Sequence, residues 1–269
     1  MTARLAALAI YPVKGCRRTE LAAARLGPAG LDGDREWMVT RPDGRFISQR
    51  THPALARLVP RVAGDVLEIG AAGRPALRVP LAVAGAPREV GVWEDRMVAE
   101  DAGDAAAAWL HEALGEPLRL VRASAATRRF ADRTWVGARD VPVSFADGYP
   151  LLVCSSASLE ALNARLPEPV PMARFRPNVV LDGLPAFAED GIRGLRAGAV
   201  VLRLVKPCTR CTVPSIDQDT GARSTDPGPA LKAFRYDAAL RGVTFGVNAV
   251  ADGPPGATLA VGTPVEVLG

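Results

Sequence analysis

Two thiols separated by two residues, in Lys206-Pro207-Cys208-Thr209-Arg210-Cys211-Thr212, are the groups in this chain best equipped for chemistry. A thiolate is a nucleophile or a soft metal ligand, and the neighbouring cations Lys206 and Arg210 favour the ionised form by opposite-charge attraction. The spacing alone leaves zinc, disulfide exchange and nucleophilic catalysis open. A structural zinc site needs four ligands, whereas His52, His111, Cys16 and Cys154 are scattered along the sequence. Thioredoxin-like exchange places the pair at a helix start after a strand; Pro214 and the β-rich surroundings argue against that here. A cysteine hydrolase needs a partner histidine, and neither histidine sits in a suggestive motif. Two inert cysteines under a loop would fit poorly with three polar neighbours.

Three further polar clusters stand out: Tyr11-Pro12-Val13-Lys14-Gly15-Cys16, Gly33-Asp34-Arg35-Glu36-Trp37 and Arg174-Phe175-Arg176-Pro177-Asn178. Each falls at the end of an apolar run, where loops form binding sites. Taken singly, each has an ordinary reading: Lys14 as a turn lysine, Arg35 as a partner of Asp34 or Glu36, Arg176 as a surface hinge before proline.

The elements that must position these groups read as strands. Short runs rich in Val, Leu and Ile, bounded by Gly, Pro and Asp, recur at 4–11, 36–40, 66–69, 76–79, 89–92, 118–122, 151–154, 179–181, 200–205, 245–250 and 264–268. That pattern predicts a mainly β fold, of β-barrel type, with a few short helices. One helix is predicted over 105–114, with Asp104 as N-cap and Gly115 as its stop. A second is predicted over 157–166, capped by Ser155 or Ser156 and ended by Pro167. Its serine-capped start would also suit a small anion. A third, short one is predicted over 229–236. The looser stretch 117–128 suggests a boundary between domains 1–120 and 121–269, with room for the two to interlock.

Composition narrows the partners. The 269 residues carry a net charge of +4, almost wholly from arginine, with lysine only at 14, 206 and 232. No Lys/Arg block resembles a nucleic-acid patch, so the arginines are expected to act locally on a small anionic ligand. No run approaches the roughly 18 apolar residues of a membrane span, and the apolar amino terminus is cut short at Tyr11-Pro12 without a cleavage site. Four scattered cysteines do not make a disulfide scaffold. The expectation is a soluble cytoplasmic protein with reduced thiols, acting on neither nucleic acid nor membrane.

Taken together and in order, the clusters resemble the MOSC proteins, in the subgroup with an N-terminal MOSC β-barrel. The matching segments are 10–16, 30–39, 157–163, 174–180, 188–190, 208–211 and 261–265, so the resemblance spans essentially the whole chain. It implies an N-terminal barrel packed on a C-terminal MOSC barrel, and a molybdenum–molybdopterin oxidoreductase, independent of pyridoxal phosphate, that reduces amidoximes, hydroxylamines and N-hydroxylated bases. By matching, Cys211 becomes the molybdenum ligand and catalytic sulfur, in keeping with the metal's preference for soft donors, and Cys208 its neighbour. Lys14, Arg35, Arg176 and Arg210 would hold the pterin phosphate, for which the planar arginine fork is suited. Asn178 and the loops at Gly15 and Thr209 would add hydrogen bonds, and Asp147 is a further candidate for the pterin. Gly15 replaces a frequent serine, so a backbone N–H must serve there. Some bacterial relatives carry a terminal iron–sulfur domain that this sequence lacks. Electrons are therefore expected from a separate ferredoxin, flavodoxin or cytochrome-type protein with its reductase. The alternative is a non-redox carrier or cofactor-delivery protein with a persulfide on Cys211.

Overall fold

Alternating apolar and polar residues build most of the strands, and the computed structural model describes residues 3–83 and 85–268. The longest strands, Val200–Thr209 and Gly242–Asp252, pair antiparallel and form the spine of a nine-stranded sheet. From that spine the sheet runs through Leu151–Ser155, Val179–Asp182 and Arg4–Ile10 to Thr19–Leu21 on one side. On the other it runs through Gly194–Ala197 to Glu266–Leu268. Leu151–Ser155 and Val179–Asp182 are parallel. Parallel neighbours need a crossover, which the helix Ser156–Asn163 and the short turn Met172–Phe175 supply.

The strand Arg4–Ile10 pairs with Val179–Asp182 although the partners lie far apart in sequence. Its apolar residues Leu5 and Leu8 join Leu151, Val153, Val179, Leu181, Leu202 and Ala249 in one core. A second core gathers Val13, Trp37, Leu55, Leu67, Leu110 and Leu120. It is wrapped by a four-stranded sheet (Trp37–Thr40, Arg119–Arg122, Asp95–Asp101, Pro87–Val92) and a three-stranded one (Val59–Ala63, Val66–Gly70, Leu77–Pro80). The mainly β character expected from the sequence is what the chain adopts. No helix among the described residues is long and apolar enough to cross a membrane.

The helices differ from expectation at their starts. Asp104 is the first residue of Asp104–Leu114, and Gly103, at φ 90°, takes the N-cap position. Asp101 accepts the Gly103 N–H at 2.8 Å, while Asp104 is free to pair with Arg119 at 2.7 Å. Gly115 ends the helix in the left-handed conformation, as expected. Ser155 precedes Ser156–Asn163 but makes no side-chain cap. The carboxylate of Glu189, fully buried, instead accepts Ser158 Oγ at 2.7 and 2.9 Å. The start of this helix thus faces an anion of the chain's own, and burial raises the Glu189 pKa. The 188–190 segment is explained by this contact. The third helix, Gly228–Phe234, begins one residue early, and a four-residue turn of helix at Arg133–Val136 carried no sequence signal.

Candidate functional site

The polar clusters converge because their strands end side by side. Lys14 follows Arg4–Ile10, where Val13 bridges to Trp37 and the Lys14 N–H donates to the Trp37 carbonyl at 2.7 Å. Arg35 precedes Trp37–Thr40, and its N–H donates to the Tyr11 carbonyl. Arg176 and Asn178 lead into Val179–Asp182, the neighbour of Arg4–Ile10. Arg35 and Arg176 both adopt left-handed backbone, at φ 49° and 57°. Such conformations are uncommon for side-chain-bearing residues and concentrate at functional sites.

One cleft is lined by Lys14, Gly15, Arg35, Asp147, Arg176, Asn178, Arg210 and Cys211. Its empty space, the open mouth included, is about 880 Å³. Of the expected site residues only Thr209 lies outside this lining; it is exposed, in register with Thr244 across the sheet, with its methyl packed towards Gly242.

Charge in the cleft is lopsided. Lys14, Arg35, Arg50, Arg176 and Arg210 line it against a single lining carboxylate, Asp147. Lys14 Nζ reaches Asp147 at 2.5 Å and the Phe145 carbonyl at 2.8 Å. Burial pulls the lysine pKa down against the pull of that carboxylate. For Asp147 desolvation works against ionisation, but Lys14, Arg35 and Arg129 prevail and hold its pKa below the ordinary carboxylate range. Arg129, itself buried, donates to the Ala146 carbonyl and, at 2.6 Å, to the Asp147 carbonyl, which fixes this loop.

Arg35 is paired at 2.5 Å with buried Asp34 and at 2.9 Å with Asn178 Oδ1. Asn178 also donates to the Ala9 carbonyl and accepts the Leu152 N–H. Its amide is therefore spent on aiming Arg35 and joining strands.

Arg176 and Arg210 have no carboxylate within salt-bridge distance among the described residues. Arg176 donates to the Cys16 carbonyl at 2.8 Å and Gln218 Oε1 at 3.0 Å, and its guanidinium lies 4.2 Å from the Tyr11 ring centre. Burial pulls its pKa down to about 10. Arg210 donates to Cys208 Sγ at 3.0 Å and the Phe175 carbonyl at 2.9 Å, and its buried Nε has no partner. A partly buried cation without a counter-charge is costly, so these two arginines, both half-buried, call for an anion from outside the chain.

The sulfurs divide into two kinds. Cys16 and Cys154 are fully buried, and burial pushes the Cys16 thiol up to about 12 and that of Cys154 well above normal. Cys208 is half-buried against Arg210, whereas Cys211 is exposed, unpaired and open to the cleft. No cluster of three or more metal-ligating side chains occurs among the described residues. A metal here would take one protein sulfur and bring its remaining ligands with it. The cationic lining, the two arginines without a carboxylate partner and the exposed Cys211 thiol fit a phosphate-bearing cofactor with a soft metal.

Several lining residues carried no sequence signal. Gln49 donates to the Gly15 carbonyl at 2.7 Å and exchanges two hydrogen bonds with Gln218, at 2.9 and 2.8 Å. Through Gln218 this pair reaches Arg176, so a side chain from before residue 50 steadies the segment that follows Cys211. Phe46, Arg50 and Trp93 form the aromatic end of the cleft.

Two family models match the chain: the MOSC N-terminal beta barrel domain over residues 2–117 and the MOSC domain over residues 140–266. The human mitochondrial amidoxime-reducing component 1 is 33% identical, with 98% of this chain and 83% of that protein covered. The chain belongs to the MOSC family. The Xenopus laevis mitochondrial amidoxime-reducing component 1 is 30% identical over 88% of this chain and 73% of its own length. The molybdenum cofactor sulfurase of Oryza sativa subsp. japonica is also 30% identical, over 86% of this chain, but the chain spans only 31% of that protein. This MOSC protein thus has relatives named as amidoxime-reducing components and as molybdenum cofactor sulfurases, which supports an enzymatic role at family level.

Proposed function

We propose that this MOSC protein is a molybdenum–molybdopterin oxidoreductase that reduces N-hydroxylated compounds. The observation that carries the reading is the convergence of Arg176 and Arg210, two guanidiniums without a carboxylate partner, on the cleft where the exposed Cys211 thiol opens. The amidoxime-reducing relatives supply the reaction class.

When bound, the cofactor supplies a soft metal centre able to take oxygen from an N–OH group in a two-electron reaction. The balance is R–C(=NOH)NH₂ with two electrons and two protons giving R–C(=NH)NH₂ and water. The electrons come from a separate electron-transfer protein of ferredoxin, flavodoxin or cytochrome type. Arg176 and Arg210 clamp the phosphate as planar forks. Asp34 and Asn178 hold Arg35 at its working angle, and Asp147 is the counter-charge that opposes the burial of Lys14. Cys211 supplies the protein's sulfur to the metal, with Cys208 occupied by Arg210. The Gly15 backbone borders the phosphate, whereas Thr209, outside the cleft, takes no part. Four unpaired cysteines suit a reducing compartment, and we assign the protein to the cytoplasm.

The exposed thiol and the sulfurase relatives favour a second reading, a carrier that bears a persulfide on Cys211. One experiment separates them. Wild type and Cys211→Ala from a cofactor-producing host are assayed for molybdenum, pterin, persulfide and benzamidoxime reduction with an artificial donor. Reduction by molybdenum-loaded wild type and its loss in the variant are expected. Full activity in Cys211→Ala refutes the ligand assignment; persulfide without molybdenum in wild type refutes the reductase.

A further inference from the structure

Trp93 occupies a position that ordinarily belongs to glycine. The strands Pro87–Val92 and Asp95–Asp101 form a hairpin in which Val92 pairs with Asp95, so Trp93 and Glu94 alone make the turn. Two-residue hairpin turns need positive φ at the first central position, hence their glycine and asparagine preference. Trp93 adopts φ 56° there. A bulky aromatic residue is strained in this conformation.

Burial repays that strain only in part, because Trp93 is 47% exposed. Its ring is held all the same. Phe46 packs edge-on at 5.1 Å between centres and 73° between planes, and the Arg50 guanidinium lies 4.4 Å from the indole centre. The Phe46 loop is itself tied to the hairpin, since the Gly91 N–H donates to the Gly44 carbonyl at 3.0 Å. All three side chains line the cleft that holds Cys211. A rigid, half-exposed indole beside a reactive site is suited to stack a planar conjugated ring.

We propose that Trp93, braced by Phe46 and Arg50, is the platform that makes this chain selective for N-hydroxylated substrates whose N–OH group is conjugated to an aromatic ring. This rests on the reductase reading above. Benzamidoxime and acetamidoxime test it, because they share the reacting group and differ by the ring. With activity expressed per bound molybdenum, the ratio of kcat/KM for benzamidoxime to that for acetamidoxime falls about 5- to 10-fold in Trp93→Gly, mainly through KM, the scale of one aromatic contact. Trp93→Phe keeps most of the ratio. Glycine relieves the strain at φ 56° while forfeiting the Phe46 and Arg50 contacts, so the two variants' melting is measured alongside, and a ratio that falls in folded, molybdenum-loaded Trp93→Gly excludes misfolding as the cause.

A second readout needs no turnover. Benzamidoxime added without an electron donor saturably quenches indole fluorescence in wild type and not in Trp93→Gly, since Trp93 is the one of the four tryptophans that lines the cleft. A ratio unchanged within 2-fold, or quenching that survives in Trp93→Gly, overturns the proposal and leaves the reductase standing. Molybdenum-loaded wild type that reduces neither amidoxime overturns the reductase reading and this inference with it.

Discussion

Replacing Arg176 by methionine removes the cleft's most anomalous charge while keeping an unbranched side chain. A phosphate oxygen about 4 Å from a guanidinium interacts by about 4 kcal/mol at the effective dielectric typical of partly buried protein sites. That corresponds to roughly a thousandfold in affinity. The same substitution has opposing effects on the cofactor-free protein. It relieves the burial that pulls the arginine down to about 10, worth about 3 kcal/mol. It also forfeits the bonds to the Cys16 carbonyl and Gln218, at about 1.5–3 kcal/mol each. The empty protein therefore shifts little compared with the loaded one. The assay is molybdenum and pterin content of purified protein, together with melting of loaded and empty forms. Arg176→Met should carry little cofactor, and the gap in Tm between loaded and empty protein should shrink by roughly 10 °C. Arg41→Met, which removes the same charge from an exposed site outside the cleft, should leave both unchanged. Wild-type molybdenum content in Arg176→Met would refute the reasoning that an unpaired, half-buried arginine marks the phosphate site.

Gln218→Ala should destabilise the chain by about 2–4 kcal/mol, because Gln218 bonds Gln49, Arg176 and the Ile216 carbonyl and leaves buried partners unsatisfied when removed; urea denaturation measures it, and a loss below about 0.5 kcal/mol would refute the link. For Asp147 the folded pKa lies below the unfolded one, so ionised Asp147 stabilises the fold above its unfolded pKa, about 4. That contribution disappears as the pH falls through the lowered value. The stability difference between wild type and Asp147→Asn should accordingly be constant from pH 7 to about 5 and narrow steadily below about 4; a difference that widens on acidification would reverse the assignment.

How much of this could be read beforehand depended on where side chains spend their contacts. Strands such as Val200–Thr209 and Val179–Asp182 announce themselves through branched apolar runs. Asp95–Asp101 does not, since it begins and ends with charge and buries only Met97, Ala99 and Asp101, the last paired with Arg88 and Arg119. Val59–Ala63 was hidden by Pro60. Among site residues, Lys14, Arg35, Arg176, Arg210 and Cys211 lie in motifs, and the fold brings them to one cleft. Gln49, Arg50 and Trp93 belong to no motif. Their placement follows from a hairpin and a loop folding over the cleft, a tertiary event that no local spacing encodes. Asn178 shows the reverse case: the motif located it, but only its bonds to Arg35, Ala9 and Leu152 reveal that its amide is already occupied.

The pairing of Arg4–Ile10 with Val179–Asp182 has a temporal meaning. Arg4 and Asp182, joined by a side-chain bond, are 178 positions apart, and the Val265 N–H donates to the Ala3 carbonyl. On the ribosome, the first strand has only the short local partner Thr19–Leu21 until about two-thirds of the chain has emerged and Val179–Asp182 can cover its other edge. Long-range pairing of this kind is slow, and it exposes apolar edges in the interval. Leu5 and Leu8 are thus candidates for chaperone shielding during synthesis. A ligand that needs Arg35, Arg176 and Cys211 at once therefore has no site until the segment after Val179–Asp182, through Cys211, has emerged.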